Sequence, residues 1–128
     1  MFNNSGITKQ SFGAPVQILL NPDMQFSVGV VVSSAKAVEV NGKKIVKAGT
    51  PLVGSLDVRN TAFTVVDTTN AADVKGVLLH DVDVTNGNGN GTLLIFGFVN
   101  PDKIDATTRA LITDDVKAAI PEVHFIKA

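Results

Sequence analysis

Two histidines and two aspartates are the residues whose types could hold a metal ion: His80, Asp81, Asp83 and His124. Imidazole nitrogens and carboxylate oxygens are common metal ligands. In an extended strand, the two aspartates project from one face and His80 from the opposite face. A third ligand must then come from elsewhere, and the alternative is a solvent-facing pair of aspartates with two structural or surface histidines. We expect no metal site.

A glycine-rich stretch, residues 86–91, is the second pattern that could do chemistry, with Gly87, Gly89 and Gly91 in a Gly-x-Gly-x-Gly arrangement. Loops that bind phosphate lead directly into a helix and usually carry a lysine and a serine or threonine. This stretch leads instead into an apolar segment that is typical of a strand. The sequence therefore predicts a solvated hairpin tip, and no bound cofactor.

Nucleophilic catalysis is not indicated by the residue types or their spacing. The chain has no cysteine, which excludes a thiol nucleophile, a thiolate metal site and a disulfide framework. Composition alone leaves a Ser-His-Asp arrangement open, but no Gly-x-Ser-x-Gly elbow or other strained nucleophile turn is present. We predict that the protein is not an enzyme.

The length, composition and net charge of the chain limit the kinds of protein it can be and the kinds of partner it can bind. A chain of 128 residues with 45% hydrophobic and 18% charged residues is typical of one folded domain. Its formal charge of −1 lacks the basic excess that binding to nucleic acid or anionic lipid normally requires. No apolar run approaches the ~20 residues of a membrane span, and the N-terminus does not resemble a signal peptide. We expect a soluble protein made in the cytoplasm, with no direct nucleic-acid or membrane partner.

The apolar residues occur in short blocks bounded by turn residues, which predicts a mainly β fold. The surest local feature is a type I′ hairpin at Asn41-Gly42. Helical signals come late: Pro101-Asp102 can start one turn around Ile104, and Thr113 can cap a helix that ends at Pro121. The predicted strands outside the hairpin comprise residues 16–20, 26–33, 52–56, 63–66, 74–84, 92–99 and 123–126.

Residues 1–15 show no hydrophobic period and are interpreted as an arm that precedes a single β-rich domain, residues 16–128. Two alternatives stay open for the arm: a disordered tail, or a segment that orders by adding a strand to the exposed sheet edge of a partner. Phe2, Ile7 and Phe12 are apolar enough to fill pockets on such a partner.

Four blocks in a fixed order resemble the head decoration proteins of tailed bacteriophages, the family of the phage lambda head decoration protein. They read AGTPLVGSL at 48–56, AADVKGVLLHDVDV at 71–84, the glycine hairpin, and LLIFGFVN at 93–100. The resemblance covers residues 48–100 and rests on short glycine and aliphatic patterns. The matching positions are Gly49, Thr50, Leu52, Gly54, Gly76, Val77, Leu78 and Gly97.

This resemblance implies a small single-domain barrel, or β-tulip-like fold, with one or two short helices near the C-terminus. It also implies a homotrimer in the virion that binds the major capsid protein on the exterior of the expanded head and stabilises the head against packaged DNA. By similarity, the arm with Phe2, Ile7 and Phe12 would join the capsid strands.

A non-catalytic β-sandwich binding module, such as a tail or baseplate accessory or a carbohydrate-binding domain, is the alternative. The absence of Trp and Tyr argues against sugar stacking.

Overall fold

The computed structural model describes residues 17–58 and 60–127. Short strands separated by turns account for most of the regular structure, and two short helices lie near the C-terminus, so the predicted mainly β fold is confirmed. The strands are β1 (Phe26–Val32), β2 (Val38–Val40), β3 (Lys43–Val46), β4 (Pro51–Val53), β5 (Thr64–Val65), β6 (Val74–Leu78), β7 (Val82–Asp83), β8 (Gly89–Val99) and β9 (Val123–Phe125). The helices are α1 (Ala106–Arg109) and α2 (Asp114–Ala119), with one-turn 3-10 helices at Ala71–Asp73 and Pro101–Lys103.

The larger sheet has the order β1-β8-β6-β4-β5, with antiparallel neighbours throughout, and β9 lies parallel to the end of β8. A bridge between Val32 and Phe63 joins the outer strand β1 to the residue before β5. The Phe63 N–H donates to the Val31 carbonyl at 2.7 Å, and the Ser33 N–H donates to the Phe63 carbonyl at 2.8 Å. The five-stranded path therefore closes on itself as a small barrel.

Two hydrophobic clusters fill the two sides of this sheet. All five strands of the closed path contribute to the inner cluster, together with Val46 and Val82 from the second sheet, β2-β3-β7, and Val84, which follows β7. The outer cluster lies under the C-terminal segment, where Val116 and Ile120 are buried. Burial on both sides explains the continuous apolar blocks in β6 and β8.

Three local predictions are confirmed. The hairpin turn has positive φ at Asn41 (52°) and Gly42 (81°), as a type I′ turn requires. Thr113 caps α2, since its hydroxyl oxygen accepts from the Val116 N–H at 3.3 Å. The last predicted strand is β9.

The continuous strand predicted for residues 74–84 is wrong. The chain bends after Leu78, and β7 pairs with β3 in the second sheet. Two hydrogen bonds hold this bend: the Gly49 N–H donates to the Leu78 carbonyl at 2.7 Å, and the Ala48 N–H donates to Asp81 Oδ1 at 2.7 Å. The apolar pattern changes from continuous to alternating because the chain changes sheets here.

The second hairpin predicted at the glycine-rich stretch is wrong, because the strands on either side of it lie in different sheets: β7 pairs with β3, whereas β8 pairs with β1 and β6. The stretch is also shorter than predicted, since β8 begins at Gly89 and not at Thr92. Gly91 pairs with Val30 of β1, and a Cβ at Gly91 would lie 2.9 Å from both Leu78 Cδ1 and Val82 Cγ2. These glycines permit close packing instead of flexibility.

Several predicted boundaries also differ from the structure. Within described residues 17–20, only Leu19 forms a bridge, with Val99. Helix α1 was not predicted. Strand β4 ends at Val53 and not at Leu56, and the ring of Phe63 lies against the next residue, Gly54. A Cβ at Gly54 would lie 2.5 Å from that ring.

Candidate functional site

The arm residues Phe2, Ile7 and Phe12 lie outside the described residues, but the place where the chain enters the domain is defined. The Asn100 N–H donates to the Ile18 carbonyl at 2.8 Å, and the Leu20 N–H donates to the Phe98 carbonyl at 2.9 Å. Ile18 and Leu19 are buried in the outer cluster. Residues 18–20 therefore anchor the chain along the C-terminal half of β8.

An exposed aromatic surface lies on this same half of β8, and sequence analysis did not identify it. We define the aromatic face as Phe26, Phe96, Phe98 and His124. The rings of Phe96 and Phe98 meet edge to face with centroids 6.5 Å apart, and Phe98 stacks on His124 at 5.3 Å. Phe26 is opposite Phe96 in the β1–β8 pairing and is 58% exposed, whereas Phe96 is 37% exposed.

A β-bulge directs these rings to one side of the sheet. Phe26 pairs with Phe96 and Ser27 pairs with Leu94, which leaves Ile95 as the extra residue. Before the bulge, Leu93 faces the inner cluster and Leu94 faces the outer cluster. Regular alternation from Leu94 would turn Val99 toward the inner cluster, but Val99 lies in the outer cluster. The alternation has therefore shifted by one residue, so that Phe96 and Phe98 project on the side of Leu93.

The aromatic face lies beyond the region that the second sheet covers. β7 packs near Gly89, where a Cβ would lie 2.7 Å from Val82 Cγ1. Gly89 pairs with Val32 at one end of the β1–β8 ladder, and Phe96 pairs with Phe26 at the other end. Within the described residues, the second sheet thus covers the glycine end and leaves the phenylalanine end open.

The two strands that carry the three phenylalanines have no charged side chain. The sequence contains none between Asp23 and Lys36, and none between Asp83 and Asp102. His124 is the only titratable group of the aromatic face. The part of this surface that β1 and β8 form is therefore uncharged, whereas the exposed Glu122 and Lys127 flank β9 beside His124.

The residues that could have formed a metal site are separated into different local structures. Asp81 accepts from the Ala48 N–H, and Asp83 Oδ1 accepts from the Thr85 hydroxyl at 2.6 Å and from its N–H at 2.9 Å. The hydrogen bonds from the Thr85 side chain and backbone hold the pKa of Asp83 below its ordinary value. Over residues 17–58 and 60–127, no group of three or more His, Asp or Glu side chains is placed to hold a metal ion.

The glycine-rich stretch, residues 86–91, is held by a side-chain hydrogen bond and leads into strand β8. Asn88 Oδ1 accepts from the Ser34 N–H at 3.1 Å, which ties the tip to the turn after β1. Gly87 has φ of 125°, and Gly89 already belongs to β8. No helix follows the stretch, so the arrangement of a phosphate-binding loop is not formed here.

Two surface grooves lie on the described part of the domain. The first, of about 260 Å³, is lined mainly by aliphatic side chains, and its ionisable lining residues among those that the structure describes are Lys36 and Lys47. The second, of about 340 Å³, includes the Lys47–Asp105 ion pair, 3.4 Å long. Burial raises the pKa of Asp105, but the charge and hydrogen bond of Lys47, together with hydrogen bonds from the Thr107 and Thr108 backbone, lower it by more, so the pKa lies below its ordinary value. Asp105 also caps α1, which gives it a structural role.

Comparison of the chain with models of known protein families and with curated proteins gives no match. None of the helices in the described part of the chain has the length and apolar character to cross a membrane.

Proposed function

We propose that the protein is a structural component of a tailed-phage virion, which binds the exterior of the expanded capsid as a homotrimer and stabilises the head against packaged DNA. Its partner is the major capsid protein. The observation that carries the proposal is the order of the sequence blocks at residues 48–56, 71–84 and 93–100, with the glycine-rich stretch 86–91 between the last two.

The fold supports this interpretation because these blocks supply neighbouring strands. β4, β6 and β8 lie side by side in the larger sheet. A Cβ at Gly76 would clash with the Leu94 carbonyl oxygen across the β6–β8 pair. Gly76, one of the glycines that carry the resemblance, is thus required by close packing, which is a reason for a family to share it.

The predicted arm supplies the attachment. An extended segment binds a sheet edge through backbone hydrogen bonds, and its apolar side chains fill pockets on the partner. Phe2, Ile7 and Phe12 are those side chains. Three arms held in one trimer act at high effective concentration, so that the avidity exceeds the affinity of a single arm by about 10²–10⁴-fold.

The experiment is co-sedimentation with heads assembled from the major capsid protein of the cognate phage, before and after expansion. We expect the full-length chain to bind expanded heads and to bind unexpanded heads poorly. Deletion of residues 1–13 should lower the apparent affinity for expanded heads by at least about 10²-fold, because each trimer loses three attachments. The unfolding temperature of the truncated protein checks that the domain remains folded.

A full-length control separates the side chains of the arm from its backbone. Replacement of Phe2, Ile7 and Phe12 by Ser keeps the arm length and should also weaken binding. Equal binding by the truncated chain would exclude the arm as the attachment. If neither form binds, the decoration function fails, and a monomeric chain that binds no heads would favour the alternative binding module.

A further inference from the structure

Asparagine is followed by glycine at four places in the chain, and this is the context in which its side-chain amide is chemically least stable. The carbon of that amide can be attacked by the backbone nitrogen of the next residue, and glycine hinders the attack least because it has no Cβ. The four dipeptides are Asn41-Gly42, Asn86-Gly87, Asn88-Gly89 and Asn90-Gly91. They are identical in sequence, so a difference in their reactivity must come from the fold.

The first two sites of the glycine-rich stretch are restrained by hydrogen bonds. The Gly87 N–H donates to the Val84 carbonyl at 3.2 Å, which closes the turn after β7. The side chain of Asn88 is restrained as well, since its Oδ1 accepts from the Ser34 N–H at 3.1 Å. At each site a hydrogen bond must break before the side-chain carbon and the backbone nitrogen can meet, which slows the attack.

The backbone nitrogens of Gly89 and Gly91 are occupied by strand pairing. These glycines lie opposite Val32 and Val30 in the β1–β8 pairing. In an antiparallel pair, residues that bond to the neighbouring strand alternate with residues that point away from it. The Val31 carbonyl points away from β8, because it accepts at 2.7 Å from the residue before β5. The two glycines therefore take the hydrogen-bonding positions of the ladder.

Asn41-Gly42 differs from the other three sites. Both residues are exposed, and they form the whole connection between β2 and β3. The ladder closes with Val40 opposite Lys43, so the Gly42 N–H lies outside it. Within the described part of the chain, this N–H has no hydrogen-bond partner, and a Cβ at Gly42 would meet nothing within 4 Å. The attacking nitrogen of this site is therefore free and open to solvent.

The turn at Asn41 is one peptide rotation away from the reacting geometry. Ring closure requires the Gly42 nitrogen to lie on the same side of the backbone as the Asn41 Cβ. A type II′ turn achieves this, because ψ of its first central residue is about −120°. Type I′ and II′ turns both connect strands through two residues and share a positive φ at the first, where Asn41 has 52°. Rotation of the peptide between the two residues is therefore sufficient, and the strands stay paired.

We infer that Asn41 is a site of spontaneous deamidation in the folded protein, with water as the co-reactant. The Gly42 nitrogen gives its proton to the solvent and bonds to Asn41 Cγ. The bond from Cγ to the side-chain nitrogen breaks, and this nitrogen takes up a proton and leaves as ammonia. Water then opens the five-membered imide at one of its two carbonyls. The product at position 41 is an aspartate or an isoaspartate, either of which adds a negative charge to the turn.

Peptide mapping by mass spectrometry, on full-length protein incubated in mildly alkaline buffer, tests this inference. We expect conversion at position 41 to be at least about 5-fold faster than at each asparagine of residues 86–90, the factor that one backbone hydrogen bond supplies. Incubation in guanidinium chloride is the control, because unfolding frees all four glycine N–H groups and should make the four rates similar. Gly42→Asn retains the turn but adds a side chain beside the attacking nitrogen, so it should remove the preference for position 41.

Three results would overturn the inference. Absence of conversion at position 41 in the folded protein, or an equal rate at Asn86, Asn88 or Asn90, would show that a free glycine N–H does not decide the reaction. A preference for position 41 that persists in the unfolded chain would assign it to the neighbouring sequence and not to the turn. A rate that Gly42→Asn leaves unchanged would exclude attack by the nitrogen at position 42 and indicate direct hydrolysis of the side-chain amide.

Discussion

The two ends of the β1–β8 ladder differ in what covers them. At one end, Gly89 and Gly91 allow Val82 and Leu78 to approach the strands, and the second sheet closes over them. At the other end, Phe26 and Phe96 pair with each other, and their side chains remain exposed. β1 is apolar at both ends, with Val30 and Val32 at the glycine end and Phe26 and Val28 at the phenylalanine end. The comparison shows that the elements packed on a strand decide whether its apolar residues form core or surface.

The largest expected effect on the free energy of unfolding comes from comparing a phenylalanine at each end of the β1–β8 ladder. Phe63 is fully buried at the bridge to Val32, so Phe63→Ala should lower the free energy of unfolding by about 3–5 kcal/mol. Phe26→Ala should change it by about 0.5 kcal/mol or less, because the ring is already largely in water. Urea unfolding of both variants at dilute protein concentration measures the difference. Similar losses for the two variants would mean that the ends of the ladder do not differ as described.

A pair of glycine substitutions tests the packed region more finely. Gly76→Ala should cost about 1–3 kcal/mol, because the new Cβ meets the Leu94 carbonyl oxygen, and the backbone of a paired strand cannot move away freely. Gly29→Ala in β1 is the control, since a Cβ there meets nothing within 4 Å. Thermal and chemical unfolding compare the two. If Gly76→Ala is as stable as Gly29→Ala, close packing is not the reason for glycine at position 76.

The smallest expected effect on stability comes from substitutions of Gly42, which test backbone conformation without a change in packing. Gly42 has φ of 81° with open space around its Cβ position, so Gly42→Val tests conformational strain alone. We expect a loss of about 1–2 kcal/mol, because an L-residue is strained in the left-handed region. Gly42→Asn should retain most of the stability, since asparagine tolerates positive φ. Equal stability of Gly42→Val and the unchanged chain would contradict the type I′ turn.

Local signals in the sequence predicted the features that depend on neighbouring residues. Asn41-Gly42 identified a turn, and Thr113 identified a helix start, because each acts through its own backbone surroundings. The bend at residues 79–81 was missed because it depends on hydrogen bonds to Ala48 and Gly49, which are distant in sequence. Similarly, Gly89 and Gly91 predict a flexible loop from the sequence, because their packing against Val82 and Leu78 depends on the tertiary structure.

The aromatic face could not be derived from periodicity. Residues 93–99 form a continuous apolar block, which gives no sign of a bulge at Ile95 or of which rings remain exposed. One signal was available: the lack of charge around β1 and β8 marks a surface suited to an uncharged partner. The exposure of these rings depends on how far the second sheet extends over β1 and β8, and this is decided by the tertiary structure.

The most direct test of the proposed function is an electron cryomicroscopy reconstruction of expanded heads incubated with the full-length protein. We expect three copies of the domain at each local three-fold position on the outer surface, with residues 1–13 of each copy paired to a capsid strand. A bare shell after incubation, or single copies bound away from the three-fold positions, would contradict it.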